Sequence, residues 1–514
     1  MEEILTDSGK TSLPGKILTG PQDRFAVSEQ ARNRIIAFET GEKTVTVWVD
    51  TNNQLANDVL SAISQMEASG YQVQIVPVDM GMIRSSYAHE SGDGDTSEQQ
   101  SLAMSIFKAA ADENASDIHI VTTRTNQSRI LFRINGDLEE QPSYTRSYEQ
   151  GIQLIRTIYN SMASEGSNNF RIDGKLDGRI SKRQFLPETV ESIRVSAVGL
   201  NNNDHSTVLR LLYNSSIHDV SFEGLGYDTV QVTQLSQITR RPYGCCIISG
   251  PTGSGKSTTL KGLLQKIITD YNHKKNVLTV EDPCEYPING ARQTSVYNAN
   301  TEEERRTAYS ASITAAMRHD PDVIMIGEIR DRASAELAFS GAKTGHLLPA
   351  SLHANNAMAI PGRLIDLGIK PEDVYDPTLL VAMISQRLIK VLCPECKQKL
   401  TDCLDKFPKA ELSRIKKVLG TIDTVCVCGP GCPKCRNGII DRTVVSEIII
   451  PDEKLMQLIH DGKRPEALHY WQDTLHGMTM NDHAISKIHR GEIDPFLAEV
   501  QLGELQPVFD RSRL

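Results

Sequence analysis

The stretch that decides the fold is GPTGSGKSTTL, from Gly250 to Leu260, almost halfway along a chain of 514 residues. The apolar run CCIISG before it is typical of a buried strand, and TTLKGLLQKIITD within and after it has helical spacing. Gly250, Gly255, Lys256 and Ser257 match the pattern G-x-x-x-x-G-K-[ST] in this strand–loop–helix context. The pattern therefore predicts a phosphate-binding loop.

In such a loop the backbone N–H groups point at phosphate oxygens, the lysine reaches the β and γ phosphates, and the hydroxyl ligates Mg²⁺. A chance glycine-rich loop is the alternative, and the strand before it and the helix after it argue against chance. We therefore expect ATP and Mg²⁺ to bind here, with Ser257 as the magnesium ligand. The expected nucleotide-binding residues are Gly250, Pro251, Thr252, Gly253, Ser254, Gly255, Lys256, Ser257 and Thr258.

Acidic residues follow two further apolar runs, NVLTVED and DVIMIGE. Strands that alternate with helices predict a parallel sheet, with the chemistry at its carboxyl edge. There Glu328 could bind Mg²⁺ through water or activate the attacking water, although an acid at a strand end is often only a cap. Glu281, Asp282 and Glu285 in EDPCEYP could hold the ion or accept a proton, and the alternative is a solvated turn before Pro287.

Two histidines, His346 and His353, lie in the short segment TGHLLPASLHANNA. A single histidine is more often structural than catalytic, but two in one segment near a phosphate-binding loop could sense the γ-phosphate. Chemistry alone leaves both interpretations open.

Cysteines form two knuckles, CPEC with Cys393 and Cys396, and CPKC with Cys432 and Cys435. Four thiolates at this spacing suit tetrahedral Zn²⁺, whereas redox-active or unliganded thiols are the alternative. Because Cys403, Cys426 and Cys428 lie between the two pairs, a different ligand set remains open.

The composition and charge indicate which classes of protein this chain can belong to. Hydrophobic residues make up 39% and charged residues 23% of the chain, which is ordinary for globular domains. The net charge of −10 disfavours a protein whose main task is to grip nucleic acid, although a local basic groove is compatible with it. The first residues lack a signal-peptide pattern, and no apolar run approaches the roughly 18 residues of a membrane span. We therefore expect a cytoplasmic protein that contacts membranes peripherally.

The sequence before the glycine loop predicts two α/β segments. TVTVWVD and YQVQIVPV have strand patterns and flank a helical stretch that Gly70 closes, which predicts a β-α-β unit. SSYAHESGDGDTSEQQ is typical of a linker. A second α/β domain with strands in SRILFRINGDL, ESIRVSA and STVLRLL should end near Tyr213, and another linker follows it.

The motifs together resemble the ATPases of type II secretion and type IV pilus assembly. The resemblance rests on GPTGSGKSTTL, TVEDPCEYPI, MRHDPDVIMIGEIRD, TGHLLPASLHANNA, SQRLIKVLCPEC and GCPKC in this order, and extends from about residue 114 to the C-terminal helical region. The chain looks most similar to type IVb pilus assembly ATPases.

The resemblance implies a fold and an assembly. It implies a RecA-like P-loop ATPase domain after a PAS-like lobe, in a hexameric ring at the cytoplasmic face of the inner membrane. There ATP hydrolysis would act on a polytopic platform protein that loads pilins into a fibre. The expected domains are an N-terminal α/β docking domain (1–90), the PAS-like lobe (98–222), the ATPase domain (228–390), a four-cysteine zinc region (391–450) and a helical C-terminal region (451–514).

The resemblance also assigns residues. Glu328 matches the Walker B glutamate, Glu281 and Glu285 match the acids of the aspartate box, and which glutamate activates water stays open. His346 and His353 match the histidine box. Arg194 and Arg210 best match arginines that reach the nucleotide from the N-terminal lobe, with Arg179 a weaker candidate; a surface salt bridge is the alternative for each.

The sequence also departs from the family pattern. Cys284 replaces an aliphatic residue of the aspartate box, and Ser351 and Ala354 replace threonines around His353. Pro349 is expected to interrupt the strand before His353. These changes remove no charged group or imidazole, so we still expect activity.

Several functions remain in competition. A type II protein secretion ATPase has the same expected chemistry with a different cargo. A pilus retraction ATPase is less favoured because such proteins are usually shorter and lack paired CxxC knuckles. A DNA-translocating ring would need a basic stripe with interleaved aromatic residues, which the acidic chain does not offer. A scaffold that binds but does not hydrolyse nucleotide is disfavoured by Lys256, Ser257 and Glu328.

Overall fold

The computed structural model describes residues 15–507 apart from short gaps, which are residues 21–22, 29–30, 42, 52–55, 79, 81, 84–85, 87–92, 126, 167–169, 215–220 and 297–301. The chain forms two compact units. The first comprises Met1–Ala109, Thr122–Ser128 and Arg146–Ala163, and the second comprises Ala110–Val121, Arg129–Thr145 and Ser164–Leu514.

The first unit contains a four-stranded sheet of β1 (Lys16–Ile17), β2 (Ile35–Gly41), β3 (Thr44–Asp50) and β4 (Gln72–Val78). β3 precedes the helix Asn57–Ala68 in the chain, β4 follows it, and the two strands pair in parallel, which confirms the predicted β-α-β unit. β2 pairs antiparallel with β3 and was not predicted. It begins with four buried residues in succession, so it lacks the alternation that marks β3.

The first predicted linker is wrong in its second half. Residues 93–100 lie in the helix Asp93–Asp112 instead. Acidic residues are favourable in the first turn of a helix because the N-terminus carries partial positive charge, so an acid-rich stretch is compatible with a helix start. Residues 87–92 of that linker and residues 215–220 of the second linker lie outside the described residues.

A seven-stranded sheet follows along the chain. Its strands are β5 (Asp117–Thr122), β6 (Ser128–Ile134), β7 (Asp137–Glu140), β8 (Glu165–Gly166), β9 (Lys175–Ile180), β10 (Val190–Gly199) and β11 (His205–Tyr213), in the order β7-β6-β5-β11-β10-β9-β8. β10 lies antiparallel between β9 and β11, and Arg194 on β10 is in register with Arg179 on one side and Arg210 on the other. Residues in register on paired strands project to the same face.

The third sheet carries the glycine loop. Its strands are β12 (Gly244–Ser249), β13 (Val277–Glu281), β14 (Arg292–Ser295), β15 (Val323–Ile326), β16 (Leu347–Leu352), β17 (Leu380–Leu392) and β20 (Ile439–Ile449), in the order β14-β13-β15-β16-β12-β17-β20. All neighbours pair in parallel except β17 and β20. The prediction of a parallel sheet is confirmed for these strands.

Burial on both faces explains why the central strands β12, β13, β15 and β16 have nearly continuous apolar sequences. Along β12, Cys245 and Ile247 pack into one hydrophobic cluster, whereas Cys246 and Ile248 pack into another. Helices supply the other side of each cluster. Those of the second unit after β11 are Phe222–Leu225, Thr229–Ile238, Lys256–Asp270, Glu302–Ala316, Arg332–Lys343, Ile360–Asp366, Pro371–Val374, Lys409–Leu419, Glu453–His460, Arg464–Asp473, Met480–His489 and Pro495–Leu502.

Pro349 does not interrupt its strand, and that expectation is wrong. β16 continues through it with all six residues buried, and the residues on both sides, Leu348 and Ala350, remain paired with β12. A proline removes only its own N–H from the ladder, so neighbouring hydrogen bonds can keep the strand in place.

The four-cysteine region lies after β17. Its short strands β18 (Gln398–Lys399) and β19 (Cys426–Val427) pair antiparallel. Leu412 and Ile415 of the helix Lys409–Leu419 share a hydrophobic cluster with Ile485 and Ile488 of Met480–His489. Among the helices that the structure describes, none combines the length and apolar character needed to cross a bilayer.

Candidate functional site

The glycine loop connects the carboxyl end of β12 to the helix Lys256–Asp270. Gly253 and Gly255 have φ angles of 76° and 84°, which side-chain-bearing residues rarely adopt. The Nζ atom of Lys256 donates to the carbonyl oxygens of Gly250 and Pro251, at 2.9 and 3.0 Å. Burial lowers the pKa of Lys256, while the charges of Glu328 and Glu285 oppose that shift. The ammonium group of Lys256 is thus held against carbonyl oxygens of the loop itself.

Glu328 lies just beyond the carboxyl end of β15. One carboxylate oxygen is 2.7 Å from Nε2 of His353, and the other accepts a hydrogen bond of 2.5 Å from Nε of Arg330. Two side chains thus fix both oxygens, which argues against a solvated cap.

Glu281 ends β13 and is 8% exposed. Its Oε1 accepts hydrogen bonds from Thr279 Oγ1 at 2.7 Å and Gln293 Nε2 at 3.0 Å. Arg305 and Arg330 donate to the carboxylate of Asp282, both at 2.9 Å. The carboxylates of Glu281 and Asp282 are thus largely buried and hydrogen-bonded, which argues against the alternative of a solvated turn at these two residues.

The two histidines lie at opposite ends of β16. His353 follows the carboxyl end and lines the cavity that contains the glycine loop. His346 precedes the amino end, where its Nδ1 is 3.1 Å from both Thr344 Oγ1 and the carbonyl of Gly341. Six residues of strand span roughly 20 Å, so the structure does not bring His346 to the cavity.

Arg194 and Arg210 line this cavity, as the resemblance implies. Arg210 donates to Asp117 at 2.9 Å through Nε. Burial lowers the pKa of Arg210, but the hydrogen bond and charge of Asp117 outweigh it and raise the pKa. Nε of Arg179, the weaker candidate in the same register, is buried and has no hydrogen-bond partner among the described residues. Arg194 and Arg210 of the second sheet thus line the cavity that contains the glycine loop, and Arg179 does not.

The cavity has a volume of about 830 Å³, which lies in the range of small-molecule sites. It brings together Pro251 to Thr258, both aspartate-box glutamates, Glu328, His353, Arg194 and Arg210. Sequence reasoning missed other lining residues, namely Arg133, Asp137, Tyr309, Arg330, Arg387, Lys390 and Arg442. Arg330 alone carried a local signal, since it lies two residues after Glu328.

Comparison with known proteins shows the family of the chain. Residues 93–502 match the family model described as type II/IV secretion system protein. The chain belongs to this family.

Its relatives in the type II/IV secretion family include the type II secretion system ATPase E of Vibrio cholerae, which is 33% identical over 393 residues, 76% of this chain and 72% of that protein. The type IV pilus assembly ATPase PilB of Thermus thermophilus is 30% identical over 371 residues, 72% of this chain and 39% of that protein. Membership in this P-loop ATPase family supports ATPase activity in general.

Two solved structures share the fold of this family member. The pilus retraction motor PilT with bound ADP has a TM-score of 0.52 at 23% identity and covers 80% of this chain and 98% of its own. The ATPase DotB of Legionella pneumophila has a TM-score of 0.53 at 20% identity and covers 76% and 92%, respectively. These similarities establish an α/β ATPase fold.

The four predicted knuckle cysteines of this secretion-family chain form one cluster. The Sγ–Sγ distances are 3.7 Å between Cys393 and Cys432, 3.6 Å between Cys396 and Cys435, and 3.5 Å between Cys432 and Cys435. The sulfurs of Cys403 and Cys428 contact backbone carbonyls instead. Among the described residues, this cluster is the group whose geometry could hold a metal ion.

Proposed function

We propose that this chain is an ATP hydrolase that works as a homohexameric motor for type IV pilus assembly. It would act at the cytoplasmic face of the inner membrane, attached peripherally through a polytopic platform protein. The observation that carries the proposal is one cavity in which the glycine loop, Glu328 and the arginines of a second sheet meet. This is the set of groups that phosphoryl transfer requires.

Each group has a task in this proposal. Backbone N–H groups of the loop and Lys256 bind the ATP phosphates, and Ser257 binds Mg²⁺. Glu328 orients or deprotonates the attacking water, and His353 holds that carboxylate at 2.7 Å. Glu281 and Glu285 add negative charge that favours the metal ion. His346, at the other end of β16, is not part of this set.

Arg194 and Arg210 couple chemistry to movement. An arginine carried by a separate sheet stabilises the γ-phosphate charge only when the cleft around it is closed. Hydrolysis would then depend on the position of that sheet, and the release of phosphate would free it. This dependence is what turns an ATPase site into a motor.

The four-cysteine cluster fits Zn²⁺. Four sulfurs about 2.3 Å from a tetrahedral ion lie roughly 3.8 Å apart, close to the Sγ–Sγ distances of 3.5–3.7 Å in the structure. The bond length of a disulfide is about 2.05 Å, so these thiols are not bonded to each other. We propose that Cys393, Cys396, Cys432 and Cys435 hold one structural zinc ion.

Type II protein secretion is the second candidate. It is favoured by the relatives, since those at 33% identity from Vibrio cholerae and Klebsiella pneumoniae are named for type II secretion. The chemistry of the cavity is the same for both candidates. Cargo must therefore be tested in cells.

The test is Lys256→Ala in the full-length protein and in a strain that lacks the wild-type gene. We expect the variant to lose at least about 100-fold in ATPase rate because the β and γ phosphates lose their cation, and to leave the strain without surface pili. Lys266→Ala is the matched control, since Lys266 lies on the same helix and pairs with Asp270 at the surface.

Electron microscopy of surface fibres and mass spectrometry of secreted proteins read out the two cargoes. Loss of secreted proteins with normal pili would replace pilus assembly by the second candidate. Wild-type ATPase activity in Lys256→Ala would overturn the enzyme proposal itself.

A further inference from the structure

Gln386 lies on β17 beneath the glycine loop and is fully buried. Its Nε2 donates to the carbonyl oxygen of Ser254 at 2.8 Å. Its Oε1 lies 2.9 Å from the hydroxyl of Tyr227 and 3.0 Å from that of Thr259, and both hydroxyls can donate to it. The loop carbonyl on one side and the hydroxyls on the other fix the orientation of the amide, because only the NH₂ group can donate to a carbonyl.

The bond to Ser254 sets the direction of a peptide group in the loop. In a planar trans peptide the C=O and the following N–H point in opposite directions. Holding the carbonyl of Ser254 against Gln386 therefore turns the N–H of Gly255 away from Gln386. Gly255 lines the cavity and precedes Lys256 directly. Without this partner, the carbonyl would be free to turn, and the N–H would turn with it.

The loop also packs tightly on this part of β17. A Cβ atom at Gly250 would approach the carbonyl oxygen of Gln386 to 2.6 Å, and one at Gly255 would approach its Nε2 to 3.2 Å. Glycine is therefore required at Gly250 partly because β17 lies so close. This contact sets the distance between the loop and β17, and the hydrogen bond sets the orientation of the peptide group between Ser254 and Gly255.

Tyr227 connects this arrangement to the segment that follows the second sheet. It is 3% exposed and packs edge-on against Phe222, with ring centroids 6.0 Å apart. Its hydroxyl lies 3.0 Å from Thr259 on the helix after the loop. Gly226 has a φ of 99°, and a Cβ there would meet Thr443 Oγ1 at 1.9 Å, so the chain can reach this position only with glycine.

We propose that Gln386 is a positioning residue for nucleotide binding, and that Tyr227 and Thr259 hold its side chain in place. Gln386 keeps the peptide between Ser254 and Gly255 in the orientation that binds phosphate. Because Tyr227 bonds to Gln386, this orientation also depends on how residues 222–227 pack. The inference rests on the proposed ATPase function, and it assigns a role to a residue that does not line the cavity.

The test is Gln386→Met, measured by ADP binding and steady-state ATP hydrolysis with the full chain. Methionine has a similar volume but no hydrogen-bonding amide, and Tyr227 and Thr259 can still bond to each other. The carbonyl of Ser254 is then left without its partner. We expect the Kd for ADP and the KM for ATP to rise about tenfold, with kcat within about twofold of wild type.

Ser385→Ala is the matched control. Ser385 is the preceding residue on β17, is fully buried, and its hydroxyl has no hydrogen-bond partner among the described residues. Partial unfolding would lower the concentration of active enzyme and so lower kcat at unchanged KM. A rise in KM in Gln386→Met that Ser385→Ala does not share would thus support positioning.

A second variant keeps the test decisive if Gln386→Met does not fold. Tyr227→Phe removes one hydroxyl, and we expect a smaller rise in the Kd for ADP, about twofold to threefold. Unchanged ADP affinity in every folded variant at Gln386 or Tyr227 would overturn the inference. If Lys256→Ala also bound ADP and hydrolysed ATP like wild type, the proposed function itself would have failed instead.

Discussion

Glu328 shows how a single residue of the site is fixed by one partner close in sequence and one far from it. His353 and Arg330 each bind one of its carboxylate oxygens, and Arg330 also reaches Asp282 at 2.9 Å. The backbone N–H of Glu328 lies 3.2 Å from the hydroxyl of Tyr309. A carboxylate held by two side chains has little freedom to turn, and orienting one water molecule requires that restriction.

His483 is a second residue whose surroundings dictate its behaviour. It is fully buried on the helix Met480–His489, and its Nδ1 accepts a hydrogen bond from the backbone N–H of Ser446 at 3.1 Å. Asp228 lies 3.7 Å from Nε2, Lys487 lies on the same helix, and Arg490 directly follows it. Burial, with the charges of Lys487 and Arg490, lowers the pKa of His483 to about 4, and Asp228 opposes the shift.

This pKa predicts a pH-dependent loss of stability. Because the folded pKa lies below the unfolded value of about 6.5, the unfolded chain takes up the proton first, and stability falls as pH drops from about 6.5 to about 4. We expect His483→Asn, which can still accept from Ser446, to lack this part of the loss, about 2–3 kcal/mol. Urea unfolding of both proteins at pH 7.0, 5.5 and 4.5 measures it. A constant difference between them would contradict the prediction.

At the scale of elements, the knuckles connect two parts of the second unit. Arg436 directly follows the second knuckle and pairs with Glu113 and Glu139, at 2.7 Å for Glu139. Lys390 on β17 pairs with Asp137 at 2.5 Å. The ion pairs of Arg436 thus tie the second knuckle to Glu113 and to Glu139 of the second sheet, and they depend on the position of that knuckle.

A knuckle that needs metal should unfold locally without it. We expect Cys393→Ser to lose about one zinc ion per chain and to lower the melting temperature, because binding energy of a structural site is folding energy. Cys403→Ser is the matched control, since Cys403 is buried but its sulfur contacts the carbonyls of Lys399 and Leu400. Metal analysis of the purified proteins decides the point, and equal zinc content in Cys393→Ser and wild type would refute the site.

At the scale of the whole molecule, the proposed ring predicts cooperation between chains. We expect the ATPase rate per chain to rise by about tenfold with protein concentration as hexamers form. In the proposed ring, the approach of Arg194 and Arg210 to the nucleotide would depend on neighbouring subunits. Particle mass and ATPase rate should be measured on the same samples, with Lys256→Ala as the background. A monomer that hydrolyses ATP at the full rate would rule out the ring mechanism.

Much of the site could be predicted from sequence because it depends on short-range spacing. The glycine loop, Glu328 at a strand end and each single cysteine knuckle are encoded within about ten residues. The structure places the loop and Glu328 in one cavity and the two knuckles in one cluster. Errors arose where local signals conflict with packing. Pro349 looked like an interruption, yet paired neighbours on β12 carry the strand through it. An acid-rich stretch looked like a linker, yet it starts a helix.

The sequence by itself determined the phosphate-binding loop, the alternation of strands and helices around it and the family, since backbone geometry and hydrophobic period are local properties. The tertiary structure alone decided which partners those residues meet. It separated His346 from His353 by the length of one strand, aligned Arg179, Arg194 and Arg210 by strand register, and placed Gln386 under a loop 132 residues away. Register and packing set these contacts, and neither is encoded by residues adjacent in sequence.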